Sequence, residues 1–181
     1  MSNYAPRLTA PAYGNLYWVK TTSGGYNQCI YGSNGPIEVI PNCTGYVHGR
    51  WMELANINTD TLGLSFGNAI TYYGSSASNI QRGSTPELGA VICFGGTEAG
   101  HVAIVEEIID DNTIRCSESD WGGQRFSVRI RRREWGWNCV INEGITFQGF
   151  LYHPSISPTP TGSGFKWWMA RLLLERRRNG L

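Results

Sequence analysis

The sequence predicts one α+β domain followed by a short appendage. Its 181 residues are enough for one ordinary domain, but not for two. One stretch with helical periodicity lies in the first third of the chain, and five short apolar or alternating runs follow it. A helix followed by consecutive strands is typical of an α+β domain, because helices and strands alternate in an α/β domain.

The helix is predicted over residues 43–55. Asn42 precedes it, and asparagine is a favoured residue at the position before the first turn. Apolar side chains then recur at helical spacing, at Val47, Trp51 and Leu54. The pattern stops near Asn56, where we expect the helix to end.

Five runs of apolar or alternating residues predict the strands of one sheet. Glycine pairs and Asp-Asn clusters separate several of them, which is typical of turns between neighbouring strands. A short helix is also expected around 68–73. The predicted strands are 90–94, 101–105, 113–117, 126–131 and 147–152.

Charge is distributed unevenly along the chain and divides it into three parts. The net charge is +1, residues 165–181 carry +4, and residues 1–164 therefore sum to −3. A mildly acidic body argues against nucleic-acid binding. We predict a catalytic domain over 1–154, a linker rich in Pro, Ser, Thr and Gly over 155–164, and a basic aromatic helix over 165–181.

The predicted helix over 165–181 pairs tryptophans and leucines with arginines. This composition suits an anionic membrane surface, and it suits docking on a partner subunit or on the domain equally well. No apolar stretch reaches the roughly 20 residues of a membrane span. The start of the sequence lacks the pattern of a secretory signal, so we expect another route of delivery.

Three residues are candidates for nucleophilic chemistry. Cys43 would begin the predicted helix, where the helix dipole favours a thiolate. His101 starts an apolar strand after a glycine turn, where a general base can reach a cleft. Glu118 ends the next strand and could hold the second nitrogen of His101, with Asp120 as an alternative. Taken singly, each of these residues is more often structural than catalytic.

The remaining cysteines and charges are interpreted as structural. Cys29 lacks a helix after it, and the odd total of five cysteines with no Cys-x-x-Cys argues against a disulfide scaffold or a zinc site. Cys93 and Cys116 lie in apolar runs and are expected in the core. His48 is expected at the surface, and the arginines over 129–133 on a solvated strand edge.

Together, the candidates resemble the CHAP domains, the cysteine- and histidine-dependent amidohydrolases and peptidases common in phage lysins. The resemblance covers about residues 25–152. The matching stretches are Cys43-Thr-Gly-Tyr-Val47, Gly89-Ala-Val91, Gly100-His-Val-Ala-Ile-Val-Glu106 and Ser117-Glu-Ser-Asp-Trp121. NlpC/P60 domains, which share the Cys-x-Gly and Gly-His stretches, fit less well at the acidic stretch.

The resemblance implies a papain-like fold, with the helix that carries the nucleophile packed on an antiparallel sheet. It matches Cys43 to the nucleophile, His101 to the base and Glu118 to the orienting acid. Asp120 stands where the family usually has asparagine, so its contribution is open. Some CHAP lysins bind calcium, but residues 29–42 contain only one acid, Glu38, so we expect no metal and no other cofactor.

The implied function is hydrolysis of an amide bond in bacterial peptidoglycan. The enzyme would be an N-acetylmuramoyl-L-alanine amidase or an endopeptidase. The resemblance also suggests a phage lysin, released by a holin or carried on the virion. The alternative is a non-catalytic cell-wall-binding or virion structural module on the same fold.

Overall fold

The computed structural model describes residues 4–12, 15–18, 41–121, 126–141 and 143–156. Helix α1 spans Cys43–Ala55, and the one-turn helix α2 spans Tyr72–Ser75 after a 3-10 turn. The six strands are β1 (Arg82–Gly83), β2 (Val91–Gly95), β3 (His101–Asp110), β4 (Thr113–Glu118), β5 (Ser127–Arg132) and β6 (Thr146–Leu151). The predicted α+β class is confirmed.

The strands form one antiparallel sheet in the order β1-β6-β2-β3-β4-β5. Strands β2 to β5 are neighbours both in the chain and in the sheet, because only short segments of chain separate them. Strand β6 returns to pair with β2, so this predicted strand lies inside the sheet rather than at its edge. The edge position belongs to β1, a two-residue strand that the sequence pattern did not predict.

Helix α1 covers one face of the sheet. Its first turn is capped by the Oδ1 atom of Asn42, which accepts a hydrogen bond from the Gly45 amide at 3.2 Å. It ends at Asn56, whose φ of 51° lies in the left-handed region. Its buried side chains pack with those of three strands, namely Tyr46, Val47 and Trp51 with Val91, Cys93, Val102, Ile104 and Leu151.

A second apolar cluster covers the opposite face of the sheet. It is built from alternate residues of β2, β3, β4 and β6 and is completed by Trp137: Ile92, Phe94, Ala103, Val105, Ile114, Cys116 and Phe150. Strands β2 and β3 are therefore buried on both faces, which explains their continuous apolar runs. Cys93 and Cys116 are fully buried, as predicted, and burial raises the pKa of both thiols.

The prediction that His48 lies at the surface is wrong. Its side chain is fully buried, with Nδ1 2.5 Å from Asp60 and Nε2 3.0 Å from the Ser65 carbonyl oxygen. The ring also stacks on Phe66, with centroids 4.7 Å apart. The segment after α1 folds over this side of the helix, and helical periodicity alone does not reveal such a cover.

Several predictions concern residues outside the described ranges. Cys29, most of the predicted linker and the predicted helix over 165–181 all lie there. Among the described residues, no helix is both long enough and apolar enough to cross a membrane.

Candidate active site

The three candidate residues lie at the ends of three different elements. Cys43 is the first residue of α1, His101 the first of β3, and Glu118 the last of β4. Because β3 and β4 are antiparallel neighbours, the start of one lies beside the end of the other. The N-terminus of α1 meets them there, so the structure brings Cys43, His101 and Glu118 together.

His101 lies between the thiol and the carboxylate. Its Nε2 atom is 3.0 Å from Oε2 of Glu118, which leaves Nδ1 for the Cys43 side chain. Burial lowers the pKa of His101, but hydrogen bonds and charge interactions with Cys43 and Glu118 outweigh burial and raise it to about 9. The imidazolium form of His101 is thus favoured at neutral pH.

Glu118 is a buried carboxylate surrounded by cations. Its side chain is 1% exposed, and Arg131 Nη2 lies 2.5 Å from Oε2. Arg129 Nε lies 2.7 Å from Oε1, as an ion pair. Burial raises the pKa of Glu118, but the hydrogen bond to His101 and the charge of Arg131 lower it to about 2. The carboxylate therefore stays ionised at neutral pH and can stabilise the imidazolium of His101.

Asp120 follows strand β4 and forms an ion pair with Arg129. Its side chain is 35% exposed, and its Oδ2 atom is 3.6 Å from Arg129 Nη2. Arg129 in turn contacts Glu118, so Asp120 is connected to the cluster through an arginine. The structure thus groups three of the four predicted site residues directly and the fourth indirectly.

Arg131 belongs to this cluster, and its prediction as part of a solvated strand edge is wrong. The register pairs Glu118 with Ser127, Cys116 with Arg129 and Ile114 with Arg131. Alternate residues of β5 therefore face the same side as Glu118. In the sequence, the signal for this arginine was the occurrence of arginines at every second position on the strand that follows Glu118. Only the strand register shows that Glu118 is the partner of Arg131.

A second buried ion pair attaches α1 to the sheet. Arg50 of α1 donates from Nε and Nη2 to the two carboxylate oxygens of Glu106, both at 3.0 Å. Ser117, next to Glu118, donates to Glu106 at 2.7 Å, and Tyr46 donates to Ser117 at 2.8 Å. Tyr4 of the N-terminal segment donates to the same carboxylate at 2.6 Å. These bonds tie α1, β3 and β4 together close to the candidate site.

Within the described ranges, no group of three or more His, Cys, Asp or Glu side chains is arranged to hold a metal ion. The expectation of a metal-free reaction stays a prediction.

Comparison with known proteins shows which family this domain resembles. A helix that begins at a cysteine and packs on an antiparallel sheet is consistent with a papain-like α+β domain. The family model of the CHAP domain matches residues 31–120, which include all four predicted site residues. Residues 31–120 of the chain therefore match the CHAP domain family.

Two proteins of Staphylococcus aureus are similar to this chain. A probable autolysin, LDP, of strain NCTC 8325 is 30% identical over 120 residues, which are 66% of this chain and 38% of that protein. A crystal structure described as an N-acetylmuramoyl-L-alanine amidase is 23% identical, with a TM-score of 0.44, and the match covers 67% of this chain and 33% of that one. This chain thus spans between a third and two fifths of the length of these relatives.

Proposed function

We propose that the domain is a peptidoglycan hydrolase that cleaves an amide bond, with Cys43 as nucleophile, His101 as base and Glu118 as orienting acid. One observation carries the proposal: a cysteine at a helix N-terminus interacts with a histidine whose second nitrogen faces a buried carboxylate. The substrate class is supported by the match to the CHAP family model and by the relative described as an autolysin.

The proposed reaction follows the chemistry of thiol hydrolases. The Cys43 thiolate attacks the amide carbonyl, and backbone N–H groups at the start of α1 stabilise the oxyanion. His101 gives its proton to the leaving amine as the carbon–nitrogen bond breaks, which leaves a thioester on Cys43. Neutral His101 then takes a proton from water, which attacks the thioester and releases the carboxylate product and the thiol. Glu118 stabilises the imidazolium whenever it forms.

The test is turbidity loss of purified peptidoglycan, with mass spectrometry of the released fragments. We expect Cys43→Ala to abolish clearing, and Cys139→Ala and Cys29→Ala to retain it. The fragments will distinguish cleavage between muramic acid and alanine from cleavage within the peptides. If the wild type clears no cell walls from several species yet binds them, the alternative of a non-catalytic wall-binding module replaces the proposal.

We also propose that the chain is a phage lysin and that residues 165–181 bind either an anionic membrane or a partner subunit. The first part is supported by the resemblance to lysin CHAP domains, and the second by the composition of the segment. Detection of the protein in purified virions would favour virion carriage over holin release. Equal co-sedimentation with anionic liposomes for the full chain and for residues 1–160 would refute membrane binding.

A further inference from the structure

Arg131 is a buried cation that the proposed reaction does not use. Its side chain is 1% exposed, and Nη2 lies 2.5 Å from Oε2 of Glu118. The guanidinium carbon lies 4.7 Å from the centroid of the Phe94 ring, and Nη1 donates to the Trp137 carbonyl oxygen at 3.3 Å. The guanidinium is therefore held by a carboxylate, an aromatic face and a backbone carbonyl.

The contact with Glu118 involves the oxygen atom that also faces His101. Oε2 is 3.0 Å from His101 Nε2, so one oxygen lies between two donors. A carboxylate can rotate about its last side-chain bond, but two donors at fixed positions allow one orientation. Because arginine keeps its charge at all accessible pH values, this cation favours the ionised carboxylate under every assay condition.

We propose that Arg131 is a positioning residue that keeps the Glu118 carboxylate ionised and turned toward His101. The proposal rests on the proposed roles of His101 and Glu118 and adds that Glu118 needs Arg131 in order to perform its role. A buried ion pair is not by itself evidence of stabilisation, because the desolvation of both charges opposes it. Arg131 contacts the same carboxylate oxygen that faces His101, so this ion pair can act in the reaction by holding the orienting acid in place.

Other charged groups near Glu118 compensate only in part for a loss of Arg131. Arg129 is 39% exposed, so water weakens its interaction with the carboxylate. Several other titratable or charged groups face the Glu118–Arg131 pair. The strands contribute His101 (β3), Cys116 (β4) and Arg129 (β5), and the connecting segments contribute Asp120 after β4 and Cys139 and Glu143 before β6. Cys43 affects the pair through its interaction with His101. Without Arg131, Glu118 would therefore become protonated at a higher pH.

The experiment compares Arg131→Gln and Arg131→Lys with Arg132→Gln, a control at the neighbouring exposed position of β5. Two pH profiles are measured: kcat/KM on peptidoglycan fragments, and the rate of Cys43 alkylation by iodoacetamide, read by mass spectrometry of the Cys43 peptide. The alkylation needs no substrate and reports the thiolate of Cys43 alone. Thermal unfolding shows which variants are folded in the assay.

We expect Arg131→Gln to shift the acidic limb of both profiles to higher pH and, at a fixed pH on that limb, to lower kcat about ten- to hundredfold, with a small change in KM. This range corresponds to one hydrogen bond between charged groups. Arg131→Lys keeps the charge but loses the planar fork, so we expect an unshifted limb and a severalfold lower kcat. Arg132→Gln should match the wild type.

The proposal is overturned if Arg131→Gln lowers activity equally at all pH values and its alkylation profile overlays that of Arg132→Gln. If Arg131→Gln does not fold, Arg131→Lys decides, and full wild-type activity in that variant overturns the proposal. If the wild type cleaves no peptidoglycan but the alkylation limb of Arg131→Gln shifts, the proposed function fails and the positioning role stands.

Discussion

Replacing Glu118 with glutamine removes one buried charge while keeping the size of the side chain. The pKa of Glu118 is about 2 in the folded protein, against an ordinary value of 4.5, because its hydrogen bond to His101 and the charge of Arg131 outweigh burial. A carboxyl group whose pKa is lowered on folding stabilises the folded state at pH values above its ordinary pKa. This stabilisation is lost as the pH falls from the ordinary pKa through the pKa of the folded state. The difference between the two pKa values corresponds to about 3 kcal/mol at neutral pH.

The free energy of unfolding in urea, measured from pH 7 down to pH 3, tests this value. We expect Glu118→Gln to be less stable than the wild type by about 3 kcal/mol or more at pH 7, because Arg131 also loses its partner. The difference should shrink below about pH 4.5, since the wild type then loses a contribution that the variant lacks.

The matched control is Glu107→Gln, which removes a partly exposed carboxylate paired with Arg115 on the neighbouring strand. We expect it to change the free energy of unfolding by less than about 1 kcal/mol at every pH. A Glu118→Gln difference that stays constant from pH 7 to pH 3 would refute the reasoning, because it would mean that Glu118 does not titrate with a lowered pKa.

Three further predictions concern stability and use the same unfolding assay. The pKa of His101 is raised from 6.5 to about 9, so protonated His101 stabilises the folded state fully below pH 6.5, and this stabilisation is lost as the pH rises from 6.5 to 9. The free energy of unfolding of His101→Gln should therefore not show this decrease. Arg50→Met leaves the Glu106 carboxylate buried without its cation and should cost about 3–5 kcal/mol, part of which Arg50→Met with Glu106→Leu should recover. Asn42→Ala should lower the free energy of unfolding by about 1 kcal/mol because the helix cap is lost, whereas Asn42→Asp should keep most of the stability that the cap provides. Equal stability of the two Asn42 variants would contradict the capping role.

The secondary structure near the site was predictable because its signals are local. The cap at Asn42 and the apolar spacing that follows it predicted α1 with its observed bounds, Cys43–Ala55. The five predicted strands are present, and in four of them no end is displaced by more than one residue. The exception is β3, which continues to Asp110 although charged residues interrupt the apolar run after Val105. The strand continues because it pairs with β4 as far as Asp110 and Thr113, and the buried Glu106 is neutralised by Arg50, a partner 56 residues away.

Local patterns in the sequence were enough to predict the α+β class, the helix that begins at Cys43 and the order of cysteine, histidine and acid along the chain. These features depend on spacing and capping among near neighbours, which a linear pattern contains. Tertiary structure alone decided which polar groups are buried, namely His48 beside Asp60, Glu106 beside Arg50 and Glu118 beside Arg131. A charge can be buried only where an opposite charge or a hydrogen-bonding partner meets it, and strand register and helix docking bring those partners together from distant parts of the chain.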